Sequence, residues 1–166
     1  VTNALALGSG VIYIKTVNSV TLFACEVTNS SAIASGGFLY LFQTVTFLIS
    51  CRVANVSAVY DGGGVYLHGG SCLSLQDSLF VGCRSRQGSG GALFIANTLR
   101  IHVNNTIFDS CQSFLQGGAL FIDVINSFSA TQLTISNSVA TGNGIIFIKT
   151  EAEASTFGFN SLVCLN

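Results

Sequence analysis

Charge is scarce in this chain. Of its 166 residues, 8% are Asp, Glu, Lys or Arg, and the formal net charge is −1. That balance leaves no electrostatic case for a nucleic-acid partner or an anionic membrane surface. It also excludes intrinsic disorder, which needs the reverse of the 49% hydrophobic content found here. Long apolar runs are missing as well. The longest candidate, Phe38 to Ile49, is broken by Gln43, Thr44 and Thr46, and it falls short of the roughly 18 residues of a membrane span. Methionine and proline are absent and the chain begins at Val1. The expectation is a mature product or an excerpt of a longer protein, with no targeting segment to read. Six cysteines occur without C-x-x-C or a Cys/His cluster, which argues against zinc and against a thioredoxin-like centre. No segment carries a sustained helical stripe, so helical repeat folds are excluded.

What is abundant is glycine, 18 residues of it, and its placement is periodic. A glycine, usually doubled, precedes an apolar run at Gly10, Gly37, Gly64, Gly91, Gly118 and Gly144. The intervals are 27, 27, 27, 27 and 26 residues. Each unit holds a second β-rich run, such as Val20-Thr-Leu-Phe, Val45-Thr-Phe-Leu-Ile or Leu99-Arg-Ile-His-Val, and Asn, Ser and Gly separate the runs. A unit of short strands that returns to its starting place is a solenoid coil. The expected fold is all-β: a right-handed parallel β-helix of about six coils of 27 residues, with residues 1–166 as one domain. Coils would stack at about 4.8 Å.

Stacking turns each repeat position into a column. Counted from the glycines, an aliphatic column holds Ile12, Leu39, Tyr66, Leu93, Leu120 and Ile146, and a second holds Ile14, Leu41, His68, Ile95, Ile122 and Ile148. Between them lies an aromatic column of Tyr13, Tyr40, Leu67, Phe94, Phe121 and Phe147. Alternate residues of a strand face opposite sides. Lys15, Asp123 and Lys149 in the next column mark that side as outward. Tyr13, Tyr40, Phe94, Phe121 and Phe147 then form an exposed stripe, an expected interface. The inverted alternation, with the rings inside, stays open.

The elements Gly90-Gly-Ala-Leu-Phe-Ile and Gly117-Gly-Ala-Leu-Phe-Ile resemble the GGA[ILV] element of polymorphic outer-membrane protein repeats. That family pairs it with an FxxN element, and the matching places read Phe80-Val-Gly-Cys83 and Phe108-Asp-Ser-Cys111, with Cys in the Asn position. The resemblance implies a right-handed β-helical region acting in adhesion and at surfaces. More widely it is to pectin-lyase-like β-helices, which include polysaccharide lyases and hydrolases.

Chemistry-bearing residues are few. Asp61, Asp77, Asp109 and Asp123 fall at different places in the coil, and only Glu151 and Glu153 could share a face. Paired or clustered carboxylates for glycoside hydrolysis or calcium do not emerge. His68 and His102 read as structural, G-x-S-x-G is absent, and Gly8-Ser-Gly10 and Gly88-Ser-Gly-Gly91 read as turns. No catalytic residue, metal or cofactor is expected. Glu26 with Arg52, and Asp123 with Lys149, occupy equivalent places and should pair across adjacent coils.

Cys25 and Cys51 share one repeat position and Cys83 and Cys111 another, so disulfides 25–51 and 83–111 are expected, with a stacked thiol ladder as the alternative. Cys72 and Cys164 have no column partner. Asn29, Asn55 and Asn104 open N-x-Ser/Thr sequons; at least one glycan is expected, against an internal asparagine ladder that would bury Asn29 and Asn55. Cysteines and sequons together point to an extracellular or cell-surface setting. The function expected is a non-enzymatic structural or adhesive solenoid. Its partners would be copies of itself or adjoining solenoid segments joined head to tail, or glycans. The alternative is a carbohydrate-active or carbohydrate-binding β-helix.

Overall fold

A computed structural model of the chain describes residues 1–70, 72–150 and 156–165, with Val124 described in its backbone only. Glu151 and Glu153 lie outside the described residues. The described residues form strands, turns and loops without a helix; no helix among them is long and apolar enough to cross a membrane. Every strand pairing is parallel and joins one coil to the next. The chain is therefore a parallel β-solenoid of about six turns.

Four faces make up each coil. The first is built from Ile12–Lys15, Leu39–Phe42, Val65–His68, the starts of the long strands Leu93–Asp109 and Leu120–Ser136, and Ile146–Lys149. The second contains Ser19–Phe23, Val45–Ile49 and Cys72–Gln76, and continues through both long strands to Thr156–Leu165. Glu26–Thr28, Arg52–Ala54 and Leu79–Val81 lead into the third. The fourth is a ladder of two-residue strands, among them Ser31–Ala32, Ser57–Ala58 and Arg84–Ser85.

Corners between the faces are made by residues in the left-handed region. Ala24, Ser50, Asp77, Asn105, Gln132 and Ser161 make the corner between the second and third faces. Asn3, Asn29, Asn55, Gly82, Ser110 and Asn137 make the next. The two other corners hold Thr16, Gln43, Gly69 and Asn97, and the glycines Gly10, Gly36, Gly62, Gly90, Gly117 and Gly144. A left-handed residue turns the chain through a sharp angle without a long loop. Asn and Gly accept that conformation readily; Ala24, Ser50 and Gln132 are held there by the coils above and below.

The doubled glycine has two separate causes. Its first member adopts the left-handed corner, as Gly90 does at φ +67°. Its second member lies where backbone meets backbone: a Cβ on Gly91 would sit 2.0 Å from the Gly118 carbonyl oxygen and 2.7 Å from the Gln112 backbone. At the first and sixth coils the glycine before the strand is not doubled: Ser9 precedes Gly10 and Asn143 precedes Gly144.

The register corrects the sequence reading in one coil. Leu39 pairs with Val65, and Val65 with Leu93. Gly64 was the wrong anchor for the third coil, because Gly62-Gly63-Gly64 offers three glycines in a row and the structural equivalent of Gly37 and Gly91 is Gly63. Coil lengths along this column are 27, 26, 28, 27 and 26 residues. Val65 and Leu67 therefore point inward, both at 0% exposure, and Tyr66 and His68 face outward.

Inward columns from three faces fill a single core that includes Leu41, Leu67, Leu75, Ile101 and Leu133. Phe80 and Phe108, the aromatic residues of the two FxxC elements, stack inside it with centroids 5.1 Å apart. Both charge pairs form across adjacent coils, Arg52 Nε to Glu26 Oε1 at 3.4 Å and Lys149 Nζ to Asp123 Oδ1 at 3.5 Å. The Arg52 and Glu26 side chains are 49% and 65% exposed, so a double-mutant cycle on them is expected to return a coupling below about 1 kcal/mol in thermal or denaturant unfolding.

Candidate functional site

The outward side of the first face carries the feature that sets this solenoid apart from a bare scaffold. Tyr13, Tyr40, Tyr66, Phe94, Phe121 and Phe147 stack in one uninterrupted ladder, with centroids 4.8–5.1 Å apart and ring planes within 3–11° of parallel. The spacing is that of the coils themselves. The strand alternation puts aliphatic residues inward on either side of each ring, as with Leu39 and Leu41 flanking Tyr40. The rings are outward, and they shield one another: Tyr13 at one end is 55% exposed, whereas Phe121 within the stack is 9% exposed. Tyr66 is the member that sequence reasoning missed. Continuity of an aromatic column was the available signal, and the slipped glycine anchor concealed it.

A second outward column runs beside the ladder. Phe42 and His68 stack at 5.4 Å, and Lys15 Nζ lies 5.5 Å from the Phe42 ring centre. His68 Nε2 is 3.0 Å from the Asn97 side-chain amide. This histidine belongs to the aromatic surface rather than to the aliphatic column expected of it.

Burial, then the neighbouring Tyr40 and Asp61, pushes the Tyr66 hydroxyl up to about 12. Burial and Tyr13 raise Tyr40 in the same direction. Phenolate absorbance followed against pH should therefore show late-titrating tyrosines, and the latest step should be lost in Tyr66→Phe.

The remaining candidate residues sit mostly at corners. Asn29 and Asn55 are both exposed, with φ of 49° and 53°, and the Asn55 Nδ2 donates to Asn29 Oδ1 at 3.2 Å. The asparagine ladder exists, but on the outside of the solenoid. Asn104 is exposed on the second face. Asp77 accepts from Asn105 Nδ2 at 2.7 Å at a corner. Asp109 accepts from Ser136 Oγ at 2.6 Å and Asn137 Nδ2 at 2.9 Å, and these hydrogen bonds hold its carboxyl below the usual carboxylate range. Asp61 accepts from the Ser89 N–H at 2.8 Å, and burial raises it. Each acid thus serves its own turn. Among the described residues, no group of three or more His, Cys, Asp or Glu could hold a metal ion.

All six cysteines are free thiols in this structure. The expected neighbours do share register: the pairing of Glu26 with Arg52 puts Cys25 beside Cys51, and that of Arg84 with Gln112 puts Cys83 beside Cys111. Cys51, Cys83 and Cys111 are buried and Cys25 is half-buried. Cys72 is half-buried on the outward side of the second face, across from Val45 and Arg100. Cys164 is exposed, paired in register with Ile135. The chain matches no protein-family model, no curated protein and no solved structure, so its likeness to outer-membrane protein repeats rests on the two short elements alone.

Proposed function

We propose that the chain is a non-enzymatic structural or adhesive β-solenoid, working outside the cell or at its surface. The observation that carries this reading is the six-ring ladder along one outward face. A long apolar stripe of fixed spacing suits a surface that is covered by another molecule. The ring faces are turned toward one another along the axis, so their edges point outward. That favours packing against another protein surface over stacking a sugar on an open ring face, the geometry a carbohydrate-binding platform needs.

End-to-end growth belongs to the same proposal. Each coil presents to the next the same row of backbone donors and acceptors, so a further coil, of this chain or of another copy, adds through identical hydrogen bonds. A heterologous contact of that kind extends into a fibre. Glycans at Asn29, Asn55 or Asn104, and disulfides at the corner cysteines, fit the same extracellular setting.

The test is association of the purified chain. Sedimentation over a range of concentrations, with electron microscopy of the same samples, should show rods that assemble. Combined Tyr40→Ser, Tyr66→Ser and Phe94→Ser substitutions should weaken lateral contacts. A chain that stays monomeric at every concentration, or that releases reducing ends or unsaturated products from a polysaccharide panel, would overturn the proposal.

A further inference from the structure

The corners suggest a chemistry that the surface reading leaves unused. At the corner between the second and third faces, the residue after the left-handed one closes the turn with its side chain. Ser78 Oγ donates to the Gln76 carbonyl at 2.8 Å and accepts from the Cys51 N–H at 3.1 Å. Thr106 Oγ1 donates to the Asn104 carbonyl at 2.9 Å. At the following corner, Ser30 and Ser138 do the same toward Thr28 and Ser136, at 3.0 and 2.9 Å. Cysteine replaces the hydroxyl residue at two consecutive coils in the first of these columns and at two consecutive coils in the second. A thiol is a weak donor and acceptor, and the corresponding contacts are longer: Cys25 Sγ to the Phe23 carbonyl is 3.6 Å, and Cys83 Sγ to the Val81 carbonyl is 3.9 Å. As a turn cap, cysteine is the poorer choice. Its occurrence as adjacent pairs in both columns is what bridging requires.

We infer that the corner cysteines are two coil-to-coil redox sites of unequal access: Cys25–Cys51 closes and opens in the folded chain, and Cys83–Cys111 is made only while the chain folds and is sealed thereafter. Cys25 is half-buried and gives the first pair one thiol within reach of solvent beside the buried Cys51, whereas both members of the second pair, Cys83 and Cys111, are at 0% exposure. Hydrogen bonding to Cys111 and burial hold the Cys83 thiol well above its ordinary range, and burial raises Cys51 as well, so the difference between the sites lies in the access to Cys25, the attacking thiol. The oxidant is a low-molecular-weight disulfide. The Cys25 thiolate attacks one of its sulfurs and expels a small thiolate. Cys51, deprotonated, then attacks the Cys25 sulfur of the mixed disulfide and expels the second. Two electrons pass from the cysteine pair to the small disulfide, and the two protons end on two small thiols. The inference stands on corner geometry and does not depend on where the protein works.

Oxidised glutathione added to the reduced, folded chain tests it, read by thiol blocking and peptide mapping. The 25–51 bridge should form under native conditions, with Cys83 and Cys111 still blockable as thiols after unfolding. Refolding in the same oxidant should add the 83–111 bridge. Cys51→Ser, which installs the side chain that already caps this corner at Ser78, should fold and halt at a glutathione adduct on Cys25. Should that variant not fold, Cys83→Ser serves instead, and it should close 25–51 at the unchanged rate. No 25–51 bridge, equal rates for the two pairs, or a link from Cys25 to Cys83 would overturn the inference.

Discussion

Gly91→Ala is expected to cost about 4 kcal/mol or more of folding stability, against a change within about 0.5 kcal/mol for Gly8→Ala, measured by denaturant unfolding. The two glycines differ only in what surrounds them. A Cβ on Gly8 meets nothing within 4 Å. On Gly91 it meets the Gly118 carbonyl oxygen at 2.0 Å and two backbone atoms of Gln112 at 2.7 Å. None of these is the tip of a flexible side chain, so relief requires moving the backbone of the next coil. That backbone is tied to Gly91 by a hydrogen bond from its N–H to the Gly117 carbonyl at 3.0 Å. In a solenoid each coil is stabilised by its neighbours. A forced separation at this point should thus split the unfolding transition or lower its cooperativity, which separates a clash from a simple loss of packing. An alanine variant with wild-type stability would mean that the close approach of these coils is wrong.

Phe108→Ala is expected to lose about 3–5 kcal/mol, in the range for deleting a fully buried ring, while Phe94→Ala should lose about 1–2 kcal/mol, mostly its stacking. Both residues are phenylalanines in the same long strand, Leu93–Asp109. Phe108 is at 0% exposure and stacks on Phe80 inside the core, so its removal leaves a cavity there. Phe94 stands on the outward side between Tyr66 and Phe121, and its place can be taken by water. Equal losses for the two would remove the distinction between core and ladder on which the proposed surface depends.

Much of this architecture is legible in the residues. Periodic glycines announce a coil, and columns of Ile and Leu against columns of Tyr and Phe separate inside from outside. The charge pairs Glu26–Arg52 and Asp123–Lys149 fall out of the same alignment. The slip in the third coil has a physical origin. Gly62, Gly63 and Gly64 are indistinguishable in sequence, yet one adopts the left-handed corner, one lies against the Gly91 carbonyl, and one faces the core beside Phe80. Only the neighbouring coils tell them apart. The corners were partly readable, since asparagine is a recognised left-handed residue. Ala24, Thr16, Gln43 and Ser50 carry no such signal, because stacking rather than propensity holds them. The aromatic ladder was readable except at Tyr66. How far its rings shield one another was not, because exposure depends on the register and the offset of the stack. Cysteine columns could be found by counting; their state as thiols could not, since the corner that accepts a disulfide accepts a stacked thiol pair equally well.

The parallel register between coils carries a mechanical consequence. Ladder hydrogen bonds run from one coil to the next, along the length of the rod. Tension applied to the two termini therefore concentrates on the few bonds at the peeling edge of an end coil, while each interface behind it shares the same load over its whole row of bonds. The chain should peel like tape from a spool, one turn at a time. A coil of 27 residues, such as that from Leu93 to Leu120, releases roughly 90 Å of extended chain at about 3.3–3.6 Å per residue. A closed bridge between Cys25 and Cys51 would withhold most of one such turn, so the thiol state of a corner would set how much length the rod can yield under load.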